Sequence, residues 1–274
     1  MTRLFRGACL TILLFLSQFA WFEVTPKAEN QVAPPDRPVE KSAELFRQSA
    51  AAYGGESKIL SLQDGCYDYQ IEALGASGEK PINLKACFKT DALFRSEARG
   101  DGLEAVTIIN GNNGWVKVGN SVLSLPRKEI DPVRIGMVVQ MRPDLLLVSF
   151  PKHRYTGQAH DDGKTLDLVE VSGFLAGEYV RGRLSFDSAT HLISRYEYEI
   201  EKESPKGKGI VKGEERYLRY EEKDGLKIPT EILSTQGHKT SRLTLNSVQY
   251  DSGLDPGLFQ DPSSSPNASQ PGKN

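Results

Sequence analysis

Few side chains in this 274-residue sequence stand where acid–base, nucleophilic or metal chemistry needs them. The four histidines, His153, His160, His191 and His238, are scattered, and none belongs to an H-E-x-x-H pair or a cysteine cluster. No serine lies in G-x-S-x-G, so no nucleophile elbow can form. His160-Asp161-Asp162-Gly163 groups three ligand-type side chains, yet adjacent residues cannot all converge on one ion, and Asp-Gly is a tight-hairpin signal. The glycines of 111–114 lack the Lys-Ser/Thr and the helix start that cradle a phosphate. Glu214, Glu215, Glu221, Glu222 and Asp224 read as a solvated acidic face. The expectation is a protein with no catalytic residues, no metal and no cofactor.

One pair does carry a chemical expectation. Two β-rich runs, 66–74 and 81–89, flank Gly75-Ala76-Ser77-Gly78. An antiparallel hairpin closed there opposes residues whose numbers sum to 153, so Asp68 faces Lys85 and Cys66 faces Cys87. Opposed Cβ atoms lie about 4.5–5.5 Å apart, close to the separation of a disulfide. A Cys66–Cys87 bond would need an oxidising compartment. The third cysteine, Cys9, has no lipid-attachment context, because Arg6-Gly7-Ala8 precede it and the apolar run follows.

Export is also what the N-terminus predicts. Arg3 and Arg6 precede an apolar run at 7–22, the pattern of a signal peptide. At about 16 residues it falls short of the roughly 20 that span a bilayer, and an uncleaved inner-membrane anchor is the alternative. Residues 23–40 form a Pro-rich tether, and 261–274, which include the sequon Asn267-Ala268-Ser269, a disordered tail. The folded domain is then 41–260. With 34 Lys plus Arg against 36 Asp plus Glu and no basic block, nucleic acid is not an expected partner.

The elements that position these residues follow from periodicity. Residues 41–53 read as a helix with Ser42 as cap, Leu45, Phe46, Ala50 and Tyr53 on one side, and Gly54-Gly55 as the stop. A second helix at 129–147 carries Ile130, Val133, Val138 and Val139, with Pro143 splitting it and Pro151 ending it. Elsewhere the period is two. Tyr196, Tyr198 and Ile200 alternate with Arg195, Glu197 and Glu199; Val180, Leu184 and Phe186 alternate with Tyr179, Arg181 and Arg183; and Ile228 and Ile232 alternate with Lys227 and Glu231. About a dozen antiparallel strands with one apolar face result, a mainly β chain whose curved sheet forms an incomplete, half-open barrel under a helical lid. The apolar face is either packed with the protein's own side chains or left open for a ligand. Trp115, beside a Gly turn, reads as core or as the rim of such a cavity, and Met137 and Met141 suit either packing or variable acyl chains.

In its order of elements the chain resembles the outer-membrane lipoprotein-sorting proteins and periplasmic lipoprotein carriers, the LolA/LolB-like superfamily, over roughly residues 43–262. Three stretches carry the resemblance. Phe88-Lys89-Thr90-Asp91-Ala92-Leu93-Phe94-Arg95 is similar to a strand pair bearing K-x-P-x-x-F-R, Asn110-Gly111-Asn112-Asn113-Gly114-Trp115 to a G-x-x-x-W turn, and Leu254-Asp255-Pro256-Gly257-Leu258-Phe259 to a closing segment. The resemblance implies a cavity that holds acyl chains without chemistry. It departs at Thr90, where the carriers place an Arg that governs lid closure. The expected function is a monomeric, non-catalytic envelope carrier that binds lipid or an acylated lipoprotein, with a membrane protein as a further partner. Its cavity would be lined by Leu93, Trp115, Val139, Leu146, Tyr198 and Ile232. The alternative is an envelope interaction or regulatory scaffold with a filled core.

Overall fold

The structure, a computed structural model, describes residues 38–75, 80–89, 92–175, 178–204 and 207–263. The apolar run at 7–22, most of the tether, Thr90 and the Asn267 sequon lie outside them. Among the described residues no helix is long and apolar enough to cross a membrane.

The chain opens with helix α1 (Pro38–Tyr53) and a short helix α2 (Glu56–Ser61). Helix α1 starts three residues before the expected position. Proline is favoured in a first turn, and Ser42, instead of capping, lies inside the helix with its hydroxyl on the Val39 carbonyl at 2.9 Å. Gly54 ends α1 at φ 123°, where a Cβ would come within 2.3 Å of the Gly225 carbonyl oxygen; only glycine fits both demands.

Six strands follow as a meander: β1 (Asp64–Leu74), β2 (Ile82–Lys89), β3 (Leu93–Gly100), β4 (Leu103–Asn110), β5 (Asn113–Val118) and β6 (Ser121–Ser124). Helix α3 (Arg127–Met141), a 3-10 turn at Pro143–Leu145 and helix α4 (Leu146–Ser149) interrupt them, so Pro143 does split the second helical region. Seven more strands complete the sheet: β7 (Lys152–Asp161), β8 (Lys164–Leu175), β9 (Glu178–Asp187), β10 (Ile193–Ser204), β11 (Gly207–Lys223), β12 (Leu226–Gln236) and β13 (Lys239–Tyr250). The Asp162-Gly163 pair makes the β7–β8 turn, both residues at positive φ (48° and 74°), which is the conformation a type I′ hairpin requires.

All thirteen strands belong to one antiparallel sheet, ordered β6-β5-β4-β3-β2-β1-β13-β12-β11-β10-β9-β8-β7. Two meanders are therefore joined side by side through the β1–β13 pair, and β6 and β7 are edges that do not meet. Helix α3 touches both β5 and β12. On a flat sheet those strands would lie about 29 Å apart, whereas a 15-residue helix is about 22 Å long, so the sheet curves around the helix. α1 packs along edge strand β7, where Phe46 stacks on His153 at 4.6 Å and Ser42 Oγ meets its Nδ1 at 2.9 Å.

Candidate functional site

The concave face is the candidate site, and it is built from period-two alternation. Tyr196 and Tyr198 of β10, Leu184 of β9, Ile232 of β12, Leu243 of β13 and Tyr67 of β1 all point inward and are buried. From α3 and the segment after it come Ile130, Val139, Met141 and Leu146, packed into the same apolar cluster. Four of the residues expected to line a cavity, Val139, Leu146, Tyr198 and Ile232, thus come together here, each at most 4% exposed.

Leu93 and Trp115 do not join them. In β5 it is Gly114 and Val116 that face inward, Gly114 so closely that a Cβ would sit 3.0 Å from Ile130. Trp115 therefore faces the convex side, on one lateral row with Ile108, Arg95, Cys87 and Cys66. Cys66 and Cys87 are directly opposed in the β1–β2 hairpin and joined by a disulfide, with Asp68 facing Lys85 as the arithmetic requires. Phe259, fully buried, covers this smaller cluster together with partly buried Leu93 and Trp115. Its segment is held by the Asn110 side-chain amide donating to the Phe259 carbonyl at 3.3 Å, by Arg95 donating to the Leu258 carbonyl at 3.1 Å, and by Lys89 donating to the Leu254 carbonyl at 2.8 Å.

Sequence reasoning missed two polar features of the concave side. The first is a buried ion pair at the end of α3. Arg142 donates to both Asp144 carboxylate oxygens (2.7–3.1 Å) and to the Ile59 carbonyl (2.8 Å), while its guanidinium lies 5.6 Å from the Phe88 ring centre. It ties the helical segment to α2 and to the sheet. Nothing in the run Met141-Arg142-Pro143-Asp144 marks these residues as buried, because their burial is set by chain segments distant in sequence.

The second is a correction. Glu214, Glu221, Glu222 and Asp224 are partly or fully exposed as expected, but Glu215 has no exposure at all. Its neighbours contain the missed signal, since Val211, Gly213, Glu215 and Tyr217 are alternate residues and so share one strand face. Glu215 lies on a lateral row that runs from Tyr196 through Glu215 and Ser234 to Ser241. Ser234 donates to Glu215 Oε1 at 2.9 Å, Tyr198 donates to the same oxygen at 3.5 Å, and Gln236 donates to the Tyr198 hydroxyl at 3.4 Å. From α3, Gln140 reaches the Ser234 hydroxyl at 3.2 Å. Burial pushes the Glu215 carboxyl up to about 8 against the lowering effect of the Ser234, Gln140 and Tyr198 contacts, so it holds a proton at neutral pH. Its second oxygen, Oε2, and the buried hydroxyls of Tyr196 and Tyr69 have no hydrogen-bond partner.

Glycines let this polar row lie low. A Cβ at Gly213 would come 2.3–2.6 Å from the Tyr198 ring, so the ring lies down over β11 where any other residue would force it upright. Elsewhere the hydroxyl of Tyr217 donates to the Val139 carbonyl of α3 at 2.6 Å, and Tyr53, Tyr220 and the Ile193 carbonyl form a chain of 2.7 and 2.8 Å contacts. Among the described residues no group of three or more His, Cys, Asp or Glu is arranged to hold a metal ion.

No protein-family model matches the sequence, and no curated protein matches it. Solved structures do match in shape. A DUF1329 family protein from Desulfovibrio piger is 16% identical with a TM-score of 0.52, over 82% of this chain and 98% of the other. An outer membrane lipoprotein-sorting protein domain from Vibrio parahaemolyticus is 12% identical with a TM-score of 0.52, over 80% and 96%. A LolA superfamily protein from Nitrosomonas europaea is 12% identical with a TM-score of 0.50, over 80% and 97%. One unclosed antiparallel sheet curved around a helix, matched over nearly the full length of these structures, gives this chain a LolA-like fold.

Proposed function

We propose that the protein is a non-catalytic carrier of the cell envelope that binds lipid or an acylated lipoprotein on its concave face, as a monomer. The observation that carries this reading is the manner in which that face is closed. Two sheet edges that do not meet leave the barrel open, and what fills it is a separate helical segment, α3 through α4, whose side chains are those of a removable plug: Ile130, Val139, Met141 and Leu146 against an aromatic and aliphatic wall. Displacing such a segment exposes a continuous apolar trough, and methionine thioethers adapt to chains of different shape. The LolA-like fold supports the reading, and the Cys66–Cys87 bond supports an oxidising compartment. Residues 1–22 would serve as the signal peptide or inner-membrane anchor, 23–40 as the tether, 41–260 as the binding domain and 261–274 as the tail.

A second reading, an envelope interaction or regulatory scaffold with a filled core, is favoured by the complete burial of Val139, Leu146 and Ile232. Native mass spectrometry of the protein purified from membranes separates the two. Stoichiometric co-purifying lipid is the expected result, and a clean apo mass from membrane-derived material would favour the scaffold. Fusing residues 1–40 to a reporter active only outside the cytoplasm should give activity; a silent cytoplasmic fusion removes the envelope from both readings.

A further inference from the structure

The polar row beneath α3 is more than a carrier of saturated chains needs. An apolar trough built only to hold hydrocarbon would be better without a carboxyl, because a buried polar group that is not fully hydrogen-bonded costs free energy. Here Glu215 Oε2 is buried and without a partner; the Tyr196 hydroxyl, also without one, lies off this point, its ring over Gly182 of β9. Among the described residues no lysine or arginine pairs with Glu215. The arginines of this region serve the opposite face, where Arg216 binds Glu214 at 2.6 Å and Arg195 binds Asp161. Facing Glu215 on the concave side are the neutral hydroxyls of Tyr198 and Tyr217, with Ser234 from β12 and Gln140 from α3. Oε1 already accepts from two donors, so the proton of the neutral carboxyl sits on Oε2, a buried group without a partner.

Resting on the carrier reading, we infer that Glu215 is the recognition point for the head of the bound amphiphile, and that this head is a primary amine. The site favours a cation: with Oε1 held by Ser234 and Tyr198, the bare Oε2, once it gives up its proton, presents a free acceptor and an unpaired charge to whatever replaces Gln140 when α3 lifts. An ammonium group supplies three donors and a charge that the site lacks. In binding, the alkylammonium keeps its protons and Glu215 loses its own to solvent, giving an ammonium–carboxylate pair and one released proton. A carboxylate head, by contrast, would take a single hydrogen bond from the neutral acid, find no cation among the described residues, and release no proton.

Displacement of a fluorescent fatty-acid probe from the full-length protein tests this. At pH 7 dodecylamine should displace the probe at a concentration at least tenfold lower than lauric acid or dodecanol. Glu215→Gln, which keeps the size and the buried hydrogen bonds, should bring the three within twofold of one another. Calorimetric titration with dodecylamine in two buffers of different ionisation enthalpy should report close to one proton released by the wild type, a readout that does not depend on the variant folding. Vesicles containing phosphatidylethanolamine form a second arm: competition by them assigns the amine to a lipid headgroup, and competition by dodecylamine alone assigns it to a single-chain amine. Equal displacement by amine and acid, or a preference that survives Glu215→Gln, or no proton release, overturns the amine subsite while leaving lipid binding intact. Failure of the probe itself to bind overturns both.

Discussion

The two faces of the sheet are closed in opposite ways. On the convex side a small cluster, Cys87, Ile108 and Phe259 with Leu93 and Trp115, is locked by a disulfide and by a C-terminal segment tied down through Asn110, Arg95 and Lys89. Asp64 accepts from the backbone N–H groups of Ser252 and Leu254 at 2.8 and 3.0 Å, adding to the same clasp. On the concave side a far larger cluster is closed by a helical segment held through Arg142 to the Ile59 carbonyl, Gln140 to Ser234 and Tyr217 to the Val139 carbonyl, yet buried polar atoms at Glu215, Tyr196 and Tyr69 go without partners. Satisfied polar groups belong to a permanent closure. Unsatisfied ones are tolerated where the chain must open or bind, since each lowers stability in the closed state. Both faces should therefore contribute to stability, but ligand response should reside in the concave face alone.

The strongest test of that division is the Arg142–Asp144 pair, which anchors the helical segment from within. Asp144→Ala leaves a buried guanidinium without its carboxylate and should cost about 3–5 kcal/mol in urea unfolding. The same variant should speed association of a fatty-acid probe, because the end of α3 is freed. Slower association would mean that the segment is a fixed part of the core.

Next in size is the pH profile set by Glu215. Its proton is held to about pH 8 in the folded protein but only to the ordinary carboxyl range, 4.5, once unfolded. The folded state thus binds the extra proton between those values, and the stabilisation this gives is complete below pH 4.5 and lost as pH rises toward 8. The loss is on the order of 4 kcal/mol across that window. Glu215→Gln should flatten this part of the profile and leave the variant more stable than the wild type at pH 8. Parallel profiles for the two proteins would show that the carboxyl is solvated.

Much of this division is legible in the amino-acid sequence alone. The hairpin sum of 153 places Cys66 opposite Cys87, because a two-stranded register closed by a short turn leaves no freedom. Alternation places Tyr196, Tyr198 and Ile232 inward for the same reason. Leu93 and Trp115 are harder, since an apolar residue on a strand can serve either face when both carry a cluster; the small partner Gly114, which makes room for Ile130, is what decides it. Glu215 escapes any reading that counts charge along the chain, because its alternate neighbours, Val211, Gly213 and Tyr217, set its face. The Arg142–Asp144 pair leaves no local trace, since α2 and Phe88 bury it.

Removing the convex bridge comes third. Cys66→Ser with Cys87→Ser opens a loop of 21 residues and should cost about 3 kcal/mol in the chain-entropy model. Probe affinity should stay within twofold, measured without urea at a temperature where both proteins are folded. Thiol labelling of the denatured, unreduced wild type should find neither cysteine free.

The smallest expected effect is also the most discriminating. Asn110→Ala removes one hydrogen bond, from the side-chain amide to the Phe259 carbonyl, and touches nothing on the concave side. A single neutral hydrogen bond is worth about 1 kcal/mol net, so the unfolding midpoint should fall slightly and the slope stay unchanged. Asn110 nonetheless ends β4, next to Ile109, which is buried in the large cluster. If the faces are independent, as the satisfied clasp and the unsatisfied trough imply, loosening Phe259 leaves dodecylamine and fatty-acid displacement where they were. A shift in either displacement curve larger than twofold would mean that the C-terminal clasp and the helical segment are coupled through β4, which lies between them, and the confinement of ligand response to the concave face would have to be given up.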